Sequence, residues 1–181
     1  MIRTTTSLIA IALFCAAAYA ADAPNLGQVL DGQFRNADRE ITSLVEAMPA
    51  DKINFAPTNG EFKGVRTFAQ QAKHLAAFIY IASSALLGEK PPVEIGGEDG
   101  PDSVRTKDQV VAFVKGAFAY GHKAMLSITE KNLMENVPFE GQPTPRIRAA
   151  VFLASHNFDH YGQMVEYARM NGIVPPASRG Q

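Results

Sequence analysis

Four long stretches of this chain place their apolar residues three and four apart, a spacing that calls for helices with one buried face each. The first runs from about Asn25 to Met48 and carries Leu26, Leu30, Phe34, Ala37, Ile41, Leu44 and Met48 as one stripe. Asp31, Arg35, Asp38 and Arg39 lie off that stripe, and Pro49 ends the run. The second opens at Thr67, with Gln70 three residues on as a capping box, and reaches Leu87-Gly88 with Phe68, Ala72, Leu75, Ile79, Ala82 and Leu86 on its face. The third starts near Thr106, where Gln109 again completes a capping box, and extends to about Glu130 through Val110, Phe113, Val114, Ala117, Phe118, Met125 and Ile128. The fourth spans Thr144 to Gly172: Thr144 can cap, Pro145 suits the first helical position, and Asn171-Gly172 ends the run before Pro175-Pro176. No window shows the sustained alternation of a strand. Four amphipathic helices of about 20 residues fold as an all-α four-helix bundle. The connectors 49–66 and 89–105 exceed what a tight antiparallel turn needs, which leaves room for crossovers.

What precedes the first helix is different in kind. Arg3 supplies a positive start, Leu8 to Ala18 an apolar run, and Ala18-Tyr19-Ala20 a small-x-small cleavage site, which together read as a secretory signal over residues 1–20. The apolar run is too short to span a bilayer comfortably, so no membrane anchor is expected after processing. Cleavage removes Cys15, the only cysteine, and leaves 21–181 as one domain without a disulfide or a cysteine ligand. Removing Arg3 as well leaves 16 basic against 18 acidic side chains. With no basic block and no interleaving of basic and aromatic residues, nucleic acid is not an expected partner.

The fourth stretch, TPRIRAAVFLASHNFDHYGQMVEYARMNG, holds His156 and His160 four residues apart. On a helix both imidazoles then share one face, a turn apart, where they can reach a single metal ion. Val151, Phe158 and Val165 are interleaved with them, so the rings are expected to face packed protein. A zincin-type protease needs Glu after the first His, and Asn157 stands there. His74 lies beside the apolar stripe of the second helix and is a natural third ligand in a bundle. His122, flanking Phe118 and Met125 in the third, reads as packing or as a neighbour to the site. The connector 89–105 carries Glu94, Glu98, Asp99 and Asp102, but its order of acids does not match an EF-hand, and it reads as a solvated loop. Its glycines follow no strand and make no nucleotide fingerprint, and GxSxG is absent.

Two segments carry a resemblance. The second helix reads VRTFAQQAKHLAAF after INFAPTNGEFKG, and the last reads ASHNFDHYGQMVEYARMNGIVPPAS. Together they resemble the DinB/YfiT family of small helical metalloproteins over about Leu26 to Ser178. The most specific matches are the His of the second helix, the run His156 to Gln163 and the Gly172-Ile173-Val174-Pro175-Pro176 tail. The resemblance implies a four-helix bundle, often a homodimer, holding one divalent ion, zinc or nickel, on His74, His156 and His160. Many members have His immediately before the last ligand, where this chain has Asp159.

Three imidazoles and no carboxylate leave such an ion its full charge and an open position for water or substrate. Asp159 or Gln163 could orient a ligand ring, and Tyr80, one and a half turns beyond His74, could reach a substrate. The expected protein is an exported, periplasmic or secreted metal-dependent enzyme acting on a small molecule. Hydrolysis and thiol transfer are both open; a non-catalytic bundle stapled by its metal is the alternative.

Overall fold

The computed structural model describes residues 23–180. The expected signal segment, residues 1–20, lies outside the described residues. Four helices form the body: α1 (Leu26–Ala47), α2 (Phe68–Leu87), α3 (Lys107–Leu126) and α4 (Arg146–Met170). A short 3-10 turn, Pro176–Ser178, follows and packs against α1. None of these helices is long and apolar enough to cross a membrane.

The capping boxes start the helices where expected. Thr67 Oγ1 accepts the amide of Gln70 at 3.2 Å while Gln70 Oε1 accepts the amide of Thr67 at 2.8 Å. Thr106 and Gln109 repeat the arrangement, and so do Asn25 and Gln28 at the head of α1. The fourth start differs from expectation: Pro145 occupies the cap position, no side chain caps the helix, and Thr144 belongs to a strand. α3 also stops at Leu126 rather than near Glu130.

The segment between α3 and α4 contains the element that periodicity missed, an antiparallel hairpin of β1 (Asn136–Phe139) and β2 (Gln142–Pro145). Phe139 pairs with Gln142, so Glu140 and Gly141 alone make the turn.

α1 packs on α3 and α4, and α2 packs on the same two, so chain neighbours α1 and α2 are diagonal partners. The long connector between them therefore crosses the end of the bundle. It is anchored as it goes: Ile53 is buried, and the carbonyls of Ile53 and Phe55 accept the amides of Ala69 and Phe68, each at 2.8 Å. Phe34, Ile41 and Leu44 of α1 and its C-terminal cap residue Met48 fill the core, and Leu75, Ile79, Phe118, Met125 and Leu153 meet them from the other helices. Close packing at the α1–α3 seam requires Gly121, where a Cβ would lie 2.5 Å from the Phe34 ring.

One polar residue breaks the α1 pattern. Asp31 lies off the apolar stripe, yet it is only 1% exposed. His122 of α3 reaches it, Nδ1 to Oδ1 at 2.6 Å, and Arg35 closes its other oxygen, Nε to Oδ2 at 2.8 Å. The second ring nitrogen of His122 faces Asp38 Oδ2 at 3.3 Å. His122 is thereby committed to the α1–α3 seam. The group of residues able to hold a metal does not include it.

Candidate metal centre

α2 and α4 lie side by side, which brings His74 of the first to His156 and His160 of the second. One ring nitrogen from each lies within 4.8 Å of the others, and the three imidazoles could hold a metal ion. Ring centroids are 5.3 Å apart for His74 and His156, 4.6 Å for His74 and His160, and 4.5 Å for His156 and His160. The four-residue spacing in α4 and the helix pairing thus place all three residues singled out in the sequence in one cluster.

Hydrogen bonds decide which nitrogen is free in two of the three rings. Asp159, when ionised, can only accept, so the amide of Gln163 must turn its nitrogen to it, Nε2 to Oδ2 at 3.3 Å. Gln163 Oε1 then accepts from Gln71 Nε2 at 2.7 Å, which turns Gln71 Oε1 toward His160 Nδ1 at 2.6 Å. That oxygen needs a donor, so His160 carries its proton on Nδ1 and leaves Nε2 as the lone-pair nitrogen. The Nδ1–H of His74 donates in the same way to the carbonyl of Glu98. His156 is different: its Nε2 is buried and has no hydrogen-bond partner.

Electrostatics agree with this arrangement. Burial, then the neighbouring His74, lowers the pKa of His156 from 6.5 to about 4. Burial, then His156 and His74, lowers that of His160 to about 3. Both rings are therefore neutral at pH 7, the form in which imidazole binds a metal. Asp159 pulls His156 the other way but does not outweigh burial.

The surroundings of the rings differ from the sequence expectation. Val151 is exposed, and Phe158 and Val165 are only half-buried. The packing on His156 comes instead from Phe78, 4.0 Å between ring centroids, and from Phe152, with Phe139 of β1 backing both. Tyr80 is not at the site. It is buried on the side of α2 that faces α3, between Phe113 and Tyr120, with its hydroxyl against the backbone of Gly116. Neither Asp159 nor Gln163 touches a ring directly; they act through Gln71.

The acidic connector between α2 and α3 is also more than a solvated loop. Arg66 holds it down through Glu98 Oε2 at 3.1 Å and Asp99 Oδ1 at 2.7 Å. The buried ammonium of Lys73 donates to the carbonyl of Pro101 at 3.1 Å. These ties set the Glu98 carbonyl over His74. A main-chain acceptor leaves no mark in a sequence. Gln71 does leave one, since it lies three residues before His74 and hence on the same side of the helix.

This geometry gives Gln71 a testable weight. Gln71→Leu removes the acceptor that fixes His160, and we expect zinc affinity to fall about 10- to 100-fold, with Gln71→Glu largely restoring it. Competition with a chromogenic chelator measures this, and equal affinity in Gln71→Leu would show that the ring needs no such partner.

A cavity of about 320 Å³ opens beside His74 and His156, walled by Phe78, Ile81, Gly96, Gly97, Glu98 and Glu140. The cluster is therefore reachable from solvent on one side.

A family model described as the DinB superfamily matches residues 33–164. Among solved structures, a DinB-like protein from Bacillus cereus superposes with a TM-score of 0.61 at 19% identity, covering 77% of this chain and 89% of that one. That likeness is one of fold. No curated protein sequence matches the chain.

Proposed function

Since the chain belongs to the DinB superfamily, we propose that it is an exported, divalent-metal-dependent enzyme acting on a small molecule, with zinc or nickel on His74, His156 and His160. The observation that carries this reading is the buried, unpartnered Nε2 of His156 within a cluster of three imidazoles. A buried polar atom without a partner is costly in a native fold, and a ligand nitrogen facing its ion is not unpartnered. The donor set fits: three nitrogen ligands, two of them neutral by burial and two with their second nitrogen tied to an acceptor.

The cavity beside His74 and His156 favours catalysis over a purely structural ion, because a staple would want a closed fourth position. His122, the remaining imidazole among the described residues, is held at the α1–α3 seam. A bound ion would supply Lewis acidity toward a substrate group. The chain's own part is to hold three rings rigid through Gln71, Glu98 and Phe78, and to shield one side from water with Phe78 and Phe152.

The reaction in this reading is hydrolysis or thiol transfer. Protein recovered from the exported fraction should begin at Ala21 by intact mass. Loaded with zinc or nickel, it should turn over members of a panel of esters, amides and thiol acceptors that the chelated protein and His160→Ala leave untouched. Turnover that survives chelation would contradict the metal-dependent chemistry, and Met1 retained in the exported fraction would contradict the signal.

A further inference from the structure

The cavity at the three histidines is chemically lopsided. Phe78 and Ile81 make an apolar wall, and Glu98 and Glu140 stand at the rim, Glu98 with its main-chain carbonyl turned to His74. No lysine or arginine lines it. Glu98 already has an ion-pair partner in Arg66, whereas the carboxylate of Glu140 makes no hydrogen bond or ion pair among the described residues. Arg148 lines a smaller cavity of about 110 Å³ that Glu140 also borders, but the two are not paired.

The backbone at Glu140 sharpens the point. Among the described residues it is the one non-glycine with positive φ, at 50°, followed by Gly141 at 73°. A two-residue hairpin turn with both central residues at positive φ favours Asn, Asp or Gly at the first place. Glutamate there is strained, and strained residues gather where a side chain must be aimed. The hairpin's Phe139 packs on Phe78 and Phe152, which fixes the turn against the wall of the cavity.

We propose that Glu140 is the substrate-recognition carboxylate of this pocket, and that the pocket takes a small cation. The ligand carries an ammonium group that meets Glu140 and an apolar body that lies along Phe78 and Ile81. The Phe78 ring adds a π face to the same cation. This rests on reading the three-histidine pocket as the reaction site.

The test uses zinc-loaded protein and two probes that differ in charge, benzyltrimethylammonium and benzyl alcohol, titrated by calorimetry or by NMR shift. The ammonium group of the first has no lone pair with which to bind the metal. We expect the cation to bind at least about threefold more tightly than the alcohol. Glu140→Asn keeps a residue that tolerates positive φ, so its melting temperature should stay level or rise, while the preference falls to about one and zinc content is unchanged. Equal binding of the two probes by the native protein, or a preference that survives in Glu140→Asn, overturns the assignment. Should zinc fail to bind, the metal reading falls, and the same titrations on the metal-free protein still decide for or against Glu140.

Discussion

Zinc added to the metal-free protein should bind as one ion per chain, and His74→Ala, His156→Ala and His160→Ala should each reduce that content to near zero. Each ring supplies one of only three protein bonds, and two remaining imidazoles rarely hold a divalent ion against water. His122→Ala should keep its zinc. Its expected effect is on the fold, because Asp31 would stay buried with only Arg35 to answer its charge, so its melting temperature should drop. Elemental analysis of the four variants checks both statements. Full occupancy in His156→Ala would remove the assignment, and loss of zinc in His122→Ala would move the site.

The second large effect is in pH. Three ordinary histidines would compete with the ion between pH 7 and 5, since free imidazole titrates near ~6.5. Here burial and mutual proximity have already lowered His156 to about 4 and His160 to about 3. At pH 5.5 three ordinary rings would hold about 2.7 protons between them, all displaced on binding. The two buried rings hold essentially none, so zinc should displace at most about one proton per ion at that pH. Calorimetry in two buffers of different ionisation enthalpy counts these protons, and a value near three would show that burial does not keep the rings neutral.

The sign for the metal-free fold follows from the same shifts. As pH falls below ~6.5 the unfolded chain takes up protons that folded His156 and His160 refuse, so stability falls from there downward. The loss continues until the folded rings titrate, at about 4 for His156 and about 3 for His160, and then levels. The increase in melting temperature that zinc confers should persist to pH values where a surface histidine site would have failed.

The helices were legible because each long apolar stripe repeats often enough for a period to show, and the capping boxes at Thr67 and Thr106 marked two of the starts. The hairpin was not. Its strands are four residues each and contain Pro138, Pro143 and Pro145, too short to alternate visibly and with proline where ladder donors belong. Thr144 looks like a cap for the same reason, since the strand and the helix share one boundary at Pro145.

The histidine pair was legible from its spacing, and His74 from the logic of a bundle. The partners that make the site specific were hidden in different ways. Gln71 carried a spacing signal that a search for titratable residues passes over. Glu98 acts through its carbonyl, and its connector looked solvated because its carboxylates do face water. Tyr80 failed as a candidate because its helix turns that side to α3, which only the order of helices around the bundle decides. The burial of Asp31 depends likewise on His122 arriving from a helix far away in the chain.

The central claim, an ion on three histidines with a fourth position open to the cavity, is tested most directly by anomalous diffraction at the zinc edge from crystals of the loaded protein. We expect one anomalous peak per chain, bonded to one ring nitrogen each of His74, His156 and His160, with the fourth position turned toward Phe78 and Glu140. A peak with a fourth protein ligand, or one located at Asp31 and His122, would contradict it.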